Sequence, residues 1–517
     1  MYSNKDNVNI LTTLLVAHGI RHAVVCPGSR NSPIVHNLNE CPDIVCYPVT
    51  DERSAGFYAL GMAQALRQPV VVCVTSGTAL LNLTPAVAEA YYQHVPLVAI
   101  SADRPQQWID QLDGQTLPQP DALGHFVKKA VSLPEPTDEE QHWYCNRLVN
   151  EALLACANQG CGPVHINVPI SEPLFDYTVS ALPQERCIRM TAADITAPTL
   201  SHVERMFMSA KRPMLICGQP MNPGFDEAVA LVGSDDSYVP DFVLCTGGSI
   251  VSKRLKRFLR KAHEVWMVNE TGEVTDTFMN LTQVIQGDGK LVADHVQHLL
   301  EARPHPFVMM WDELLRRVRA HAESYEPAYS QMAVVKTFES RITRISGAEV
   351  HYANSTAIRL ANIYARHPVW CNRGVNGIEG SLSTAAGFSC VTDEQVFCII
   401  GDLSFFYDQN ALWNQNLQGN LRILLLNNGK GGIFNMLKGL EQSGARDRFV
   451  AAEHHTSAEG ICLQNNVRYL KAENMGEMLK GVDTLLNMES SRPVLLEVFT
   501  DASEDERVFK DYYKTLR

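Results

Sequence analysis

Val396-Phe397-Cys398-Ile399-Ile400-Gly401-Asp402-Leu403-Ser404 is an apolar run that ends in Gly-Asp, and Leu424-Leu425-Leu426-Asn427-Asn428 is a second that ends in Asn-Asn. Uninterrupted apolar runs of this length, each closed by a polar turn, are expected of strands buried on both faces of a parallel sheet. Asn428 follows Asp402 by 26 positions, which leaves room for one crossover helix between the two strands. Their ends can then converge on one divalent cation and one diphosphate. Asp402 offers a hard anionic oxygen and Asn428 a neutral amide oxygen, a donor set suited to magnesium. Gly401 lets main-chain N–H groups approach phosphate oxygens.

Outward from this motif the chain repeats one style. Strands are expected at 22–26, 44–49, 70–75, 97–101 and 164–168, with a helix at 8–18 and another from about 52 to 66. Polar or Gly-rich turns follow the strands: Pro27-Gly28-Ser29-Arg30, Ser76-Gly77-Thr78-Ala79 and Ala102-Asp103-Arg104-Pro105. Strand–helix alternation of this kind predicts parallel α/β sheets, which bind ligands beyond their strand C-termini. An irregular polar stretch at 178–200 reads as a linker. A middle block carries strands at 214–217, 242–246 and 264–269, and the Pro-containing stretch 302–307 reads as the start of its exit. The last block repeats the alternation, ending with a strand at 494–499. The 517 residues are too many for one core, and the expected division is 1–180, 181–330 and 331–517.

A net charge of −13 excludes nucleic acid and anionic membrane as natural partners. Any site for anionic substrates must therefore be a local Arg and Lys cluster. The 14 cysteines are scattered singly, without Cys-x-x-Cys pairs or zinc spacing, and read as reduced thiols. The N-terminus shows no signal peptide, and no apolar stretch reaches about 20 residues. A cytoplasmic protein without a membrane span is expected.

Glu52, in Thr50-Asp51-Glu52-Arg53, stands at a strand-to-helix turn of the first block. A carboxylate there is ordinarily a first-turn residue favoured by the helix dipole. Beside a Gly-Asp…Asn-Asn motif it acquires a second reading, as a candidate acid–base group.

These strings, together with Asn372-Arg373-Gly374 and Leu382-Ser383-Thr384-Ala385-Ala386-Gly387, give a chain that resembles the thiamine diphosphate (ThDP) carboligases and decarboxylases over nearly its whole length. Leu403, Pro27-Gly28-Ser29-Arg30 and Asn372-Arg373-Gly374 point to those carboligases of menaquinone biosynthesis that use 2-oxoglutarate and isochorismate.

The resemblance implies three domains, each a mainly parallel sheet flanked by helices. The first would bind the aminopyrimidine and the third the diphosphate, around a central domain. The reaction implied is decarboxylation of 2-oxoglutarate and conjugate 1,4-addition of the remaining four-carbon unit to isochorismate. Another carboligase of the acetolactate-synthase kind, or a simple 2-oxo-acid decarboxylase, is the alternative. Glu52 would be the catalytic carboxylate. Ser76, Gly77, Ser355, Gly377, Ile378, Gly401, Asp402, Leu403, Ser404, Asn428, Ile433 and Phe434 would line the cofactor, Ile378 as an apolar prop. Asp402, Asn428 and the main-chain oxygen of Lys430 would hold Mg2+ or Mn2+. Ser29, Arg30, Arg104, Gln115, Lys253, Asn354, Ser355, Arg359 and Arg373 would meet the substrate carboxylates, with Arg254 a competitor for the place of Lys253. Lys430 and Gly114 depart from the family pattern, which has Gly at the first position and a polar side chain at the second. The family also implies a homodimer or homotetramer, with Glu52 of one subunit facing the metal site of another. No histidine falls in a matched motif, and His454-His455 is assigned to a loop.

Overall fold

The computed structural model describes residues 1–158, 160–190, 195–218, 223–437 and 439–516. It contains three parallel sheets. The first is built from β1 (His22–Val25), β2 (Val45–Pro48), β3 (Val70–Val74), β4 (Leu97–Asp103), β5 (Lys129–Ser132) and β6 (Val164–Pro169), in the order β2-β1-β3-β4-β6-β5. The second contains β7 (Pro213–Cys217), β8 (Phe242–Thr246), β9 (Glu264–Asn269) and β10 (Leu281–Gln286), in the order β10-β9-β8-β7. The third contains β11 (Glu349–Tyr352), β12 (Val396–Gly401), β13 (Leu421–Asn427), β14 (Arg468–Ala472) and β15 (Val494–Phe499), in the order β11-β12-β13-β15-β14.

The strands expected from sequence are present. The four that sequence reading missed are β5, β10, β11 and β14, and each lies at a sheet edge. An edge strand is covered on fewer sides, so its sequence need not be a continuous apolar run. Arg468-Tyr469-Leu470-Lys471-Ala472 shows this, with only Ala472 buried. A second difference concerns the exit from the middle domain. The helix Pro306–Ser324 starts with Pro at its first turn and sends Phe307, Trp311, Leu314, Leu315 and Val318 into the middle core. The chain therefore stays with that domain well past 307.

The first and third sheets share a core. It runs from Val72 on β3 through Tyr58 and Leu382 to Cys398 on β12. Between the sheets, the helix Glu52–Leu66 packs against the helix Ser381–Ser389. The approach is close enough to demand glycine on both sides. A Cβ on Gly61 would stand 2.0 Å from the Thr384 carbonyl oxygen, and one on Gly387 would stand 2.2 Å from that of Tyr58. Polar contacts fix the same interface: Tyr58 donates to the Ala411 carbonyl at 2.6 Å, and the Arg53 guanidinium donates to that of Tyr407 at 2.7 Å. The strand ends of both sheets are thereby held in one rigid frame.

Among the described residues no disulfide is present, and no helix is long and apolar enough to cross a membrane.

Candidate active site

Parallel pairing in register brings Gly401 opposite Leu426, so Asp402 and Asn428 leave neighbouring strands at the same level. Asp402 is buried, and its carboxylate joins the two ends. Oδ1 accepts the Leu403 N–H at 2.7 Å; Oδ2 accepts those of Asn428 at 3.1 Å and Gly429 at 2.9 Å. A carboxylate has about four lone-pair sites, so one remains on Oδ1 for a cation.

Asn428 is fixed by a residue from far along the chain. Its Nδ2 donates to Asp505 Oδ2 at 2.9 Å, which leaves the amide oxygen as the free end. Asp505 is held in turn by the Thr500 hydroxyl at 2.9 Å and by the Gln331 N–H at 2.7 Å. Lys430 points its ammonium to Asp447 at 3.2 Å. The backbone on either side is pinned, with the His454 N–H donating to Gly429 O and the Gly431 N–H to Ala451 O, each at 2.7 Å. The lysine side chain is thus turned to Asp447, and its flanking hydrogen bonds set the loop.

These oxygens fit a hard divalent cation. Among the described residues no group of three His, Cys, Asp or Glu could hold one, so a cation at Asp402 would need other oxygens, such as an amide and a main-chain oxygen. Above Gly401 there is open space, since a Cβ there would meet nothing within 4 Å. Ser404 is buried one turn on, and Ile433 and Phe434 lie in the 3-10 turn Gly432–Met436.

At the end of β11, Ser355 caps the helix Thr356–Tyr364 with φ 73° and ψ −128°, a conformation rarely taken by a residue with a side chain. Asn354 beside it gathers the following loop. Its Nδ2 donates to Asn372 O at 2.6 Å and Gly377 O at 2.8 Å, and its Oδ1 accepts from Arg373 Nη1 at 3.0 Å. Ile378 ends this loop, 41% exposed in the isolated chain.

Arg359 and Arg373 lie close enough to repel. Burial, and for Arg359 also the Arg373 charge, pull both guanidiniums below their ordinary pKa. Nη1 of Arg359 and Nε of Arg373 are buried without a hydrogen-bond partner. Buried guanidinium nitrogens without hydrogen-bond acceptors are costly unless a ligand supplies them.

The first domain presents its own set at its strand ends. Glu52 Oε2 accepts from Asn82 Nδ2 at 3.1 Å, and the residue is partly exposed in the single chain. Its neighbours do reach the third domain, Asp51 accepting from Asn410 Nδ2 at 2.7 Å. Ser76 is buried beside Gly77, whose N–H donates to Gln119 Oε1 at 2.7 Å. Arg30 is buried, donating to Ile170 O at 2.9 Å and pairing with Glu172 at 3.2 Å. Ser29 next to it is exposed. Arg104 donates from Nε to Gly114 O at 2.9 Å and pairs with Asp113 at 3.0 Å, so at Gly114 a main-chain oxygen meets the arginine. Gln115 follows with φ 57°.

In the middle domain Lys253 opens the helix Lys253–Leu259 and is exposed. Arg254 is engaged elsewhere: it pairs with Asp226 at 2.6 Å and lies 5.3 Å from the Tyr513 ring centre.

Sequence reading missed three residues. His454 lies in the loop expected for it, but its Nε2 stands 3.5 Å from Asp402 Oδ2, close enough for the carboxylate to raise the imidazole pKa. Asp505 sits among Ser503, Glu504 and Glu506 at a helix start, a composition typical of a solvated first turn. Glu89 lies mid-helix in Ala86-Val87-Ala88-Glu89-Ala90, yet is 3% exposed and accepts the N–H groups of Gly374 and Val375, each at 2.7 Å. A lone acidic residue in an otherwise apolar helix segment was the available signal for Glu89.

Residues 6–124 match the thiamine pyrophosphate enzyme family, N-terminal TPP binding domain. The whole chain is 44% identical to the 2-succinyl-5-enolpyruvyl-6-hydroxy-3-cyclohexene-1-carboxylate synthase of Bacteroides thetaiotaomicron, with 100% of each chain covered. The synthase of the same name from Phocaeicola vulgatus is 42% identical, covering 100% of this chain and 99% of its own. That from Porphyromonas gingivalis is 34% identical, covering 99% and 97%. A solved structure of a candidate thiamin diphosphate-dependent enzyme from Mycobacterium smegmatis superposes with a TM-score of 0.70 over 96% of this chain and all of that one, at 16% identity. That likeness speaks to the fold.

Proposed function

The chain belongs to the family of 2-succinyl-5-enolpyruvyl-6-hydroxy-3-cyclohexene-1-carboxylate synthases, ThDP-dependent transferases of menaquinone biosynthesis, and we propose how its residues carry out that activity. Asp402, Asn428 and the main-chain oxygen of Lys430 would hold Mg2+ or Mn2+, and Gly401, Leu403 and Ser404 would meet the diphosphate. Ser76, Gly77, Ser355, Gly377, Ile378, Ile433 and Phe434 line the rest of the cofactor. Bound ThDP supplies a nucleophilic carbon and an electron sink.

Glu52 carries the activating hydrogen bond. Asn82 occupies its Oε2 and leaves Oε1 for a nitrogen of the aminopyrimidine. Part of its surface is open in the single chain, which agrees with closure by a second subunit. The enzyme is on this reading a cytoplasmic homodimer or homotetramer with sites between subunits. Residues 1–180 form the pyrimidine-binding domain, 181–330 the central domain and 331–517 the diphosphate-binding domain.

The observation that carries the substrate reading is the pair of half-buried arginines Arg359 and Arg373, one nitrogen of each being buried without a partner and open to a carboxylate acceptor. Ser29, Arg30, Arg104, Gln115, Lys253, Asn354 and Ser355 complete the set for 2-oxoglutarate and isochorismate. Because Arg254 is spent on Asp226 and Tyr513, Lys253 is the member that faces substrate. An apolar flank at Ile433 and Phe434 limits water, which would divert the reaction to simple decarboxylation.

The test incubates the protein with ThDP, Mg2+, 2-oxoglutarate and isochorismate and follows isochorismate loss by absorbance. Turnover that needs both substrates is expected. Turnover of pyruvate with none of isochorismate would overturn the reading.

A further inference from the structure

We infer that Glu89 is the positioning residue for Arg373, set in one domain and acting on the substrate-binding loop of another; this rests on the reading that Arg373 takes a substrate carboxylate. The loop 371–377 lies between the helix Thr356–Tyr364 and the helix Ser381–Ser389 and is anchored in its own domain through Asn354 and through the Asn372 amide on Thr384 Oγ1 at 3.0 Å. Its middle is held from outside. Glu89, on the helix Thr84–Gln93 of the first domain, places Oε1 on the Gly374 N–H and Oε2 on the Val375 N–H, each at 2.7 Å.

Gln93, one turn on, donates to the same Oε1 at 2.5 Å and reaches the Cys371 carbonyl at 3.5 Å, and it is steadied by Gln64 at 3.0 Å. A carboxylate so buried is costly unless its lone pairs are filled. Here two main-chain N–H groups and an amide occupy three of its four lone-pair sites, and its charge also acts on the Arg373 guanidinium against the effect of burial. Glu89 thus fixes the peptide planes that immediately follow Arg373, with its negative charge near that guanidinium. With Nη1 on Asn354 and the backbone clamped by Glu89, the guanidinium presents Nε in one orientation.

A residue that only glued the two domains would affect stability and leave affinity alone. The experiment separates these. Glutarate, which has the two carboxylates of 2-oxoglutarate and no keto group, is titrated calorimetrically into the ThDP- and Mg2+-loaded protein. The substitution E89Q keeps the volume but turns one N–H acceptor into a donor facing an N–H. It is expected to weaken glutarate binding roughly tenfold and to raise KM for 2-oxoglutarate by a similar factor, with kcat and ThDP affinity changed less than about threefold. E89D, which keeps the charge one methylene short, should fall between, and takes the place of E89Q if that variant does not fold. R373A is run beside them. If R373A weakens glutarate and E89Q does not, the role given to Glu89 is wrong. If R373A leaves glutarate binding unchanged, the carboxylate reading of Arg373 fails first. The double variant should bind no more weakly than R373A alone; full additivity would also overturn the inference.

Discussion

Gly77 and Ser355 hold nearly the same backbone conformation at two strand-to-helix turns, one in each of two domains. Each lies three residues beyond its strand, β3 or β11, and each caps the helix that follows, with φ/ψ of 85°/−142° and 73°/−128°. On the proposed reading both turns line the cofactor, one from the pyrimidine-binding domain and one from the diphosphate-binding domain. Glycine adopts this geometry freely, whereas serine is strained there by roughly 1–3 kcal/mol. Replacing Ser355 by Gly should therefore leave the urea midpoint unchanged or raise it, while KM rises through loss of the hydroxyl. Gly77→Ala should lower stability by about 1–3 kcal/mol, since the new Cβ would also stand 3.2 Å from Gln115 O. A strongly destabilised Ser355→Gly would show that the strain is not where the backbone angles put it.

The grip of Asp505 on the Asn428 amide gives a second expectation. Asp505→Ala frees that amide to rotate, so its oxygen is no longer committed to the metal position. Outer partners of metal ligands typically contribute about 10–100-fold in affinity. The Mg2+ concentration needed for half-saturation with ThDP, read by intrinsic fluorescence, should rise by that order. An unchanged Mg2+ requirement would count against Asn428 as a ligand.

Glu52→Gln should retain ThDP binding within about threefold and lose at least about two orders of magnitude in turnover, because general acid–base help is commonly of that size. Calorimetric ThDP titration and initial rates measure the two separately. Turnover near that of the parent protein would remove Glu52 from its role.

A stability change with pH is expected where the C-terminal helix Ala502–Thr515 docks on the middle domain. Glu227 is fully buried there, with the Tyr512 hydroxyl 3.3 Å from Oε1 and no partner for Oε2. Burial pushes its pKa up to about 7, against the ordinary 4.5. The folded protein thus keeps a proton that the unfolded chain releases. Its contribution to stability is complete below about pH 4.5 and is lost as pH rises to about 7, on the order of 3 kcal/mol in all. Glu227→Gln should flatten that part of the urea-midpoint profile, and a profile identical to the parent's would contradict the assignment.

Much of this architecture is written locally. The central strands β3, β4, β12 and β13 are buried along their whole length or nearly so, and that demands the apolar runs from which they can be read. The turns after them carry Gly, Ser, Asp and Asn because strand ends at a ligand site need main-chain donors and compact oxygen ligands. Asp402 and Asn428 could be placed at the ends of β12 and β13 for that reason. Edge strands such as β14, with two lysine or arginine residues in five, were not, since their pairing is decided by a neighbour and not by their own pattern.

The sequence by itself determined the sheet-forming segments, the chemistry available at their ends and the family to which they belong. The tertiary structure alone decided which distant groups restrain that chemistry. Glu89 and Asp505 are acidic residues on helices, and nothing local shows which groups they would meet. Their partners lie 285 and 77 positions away. A hydrogen bond is directional over about 3 Å, so its identity depends on where packing brings the backbone, and that packing is set by contacts such as Gly61 against Thr384 that couple the two domains.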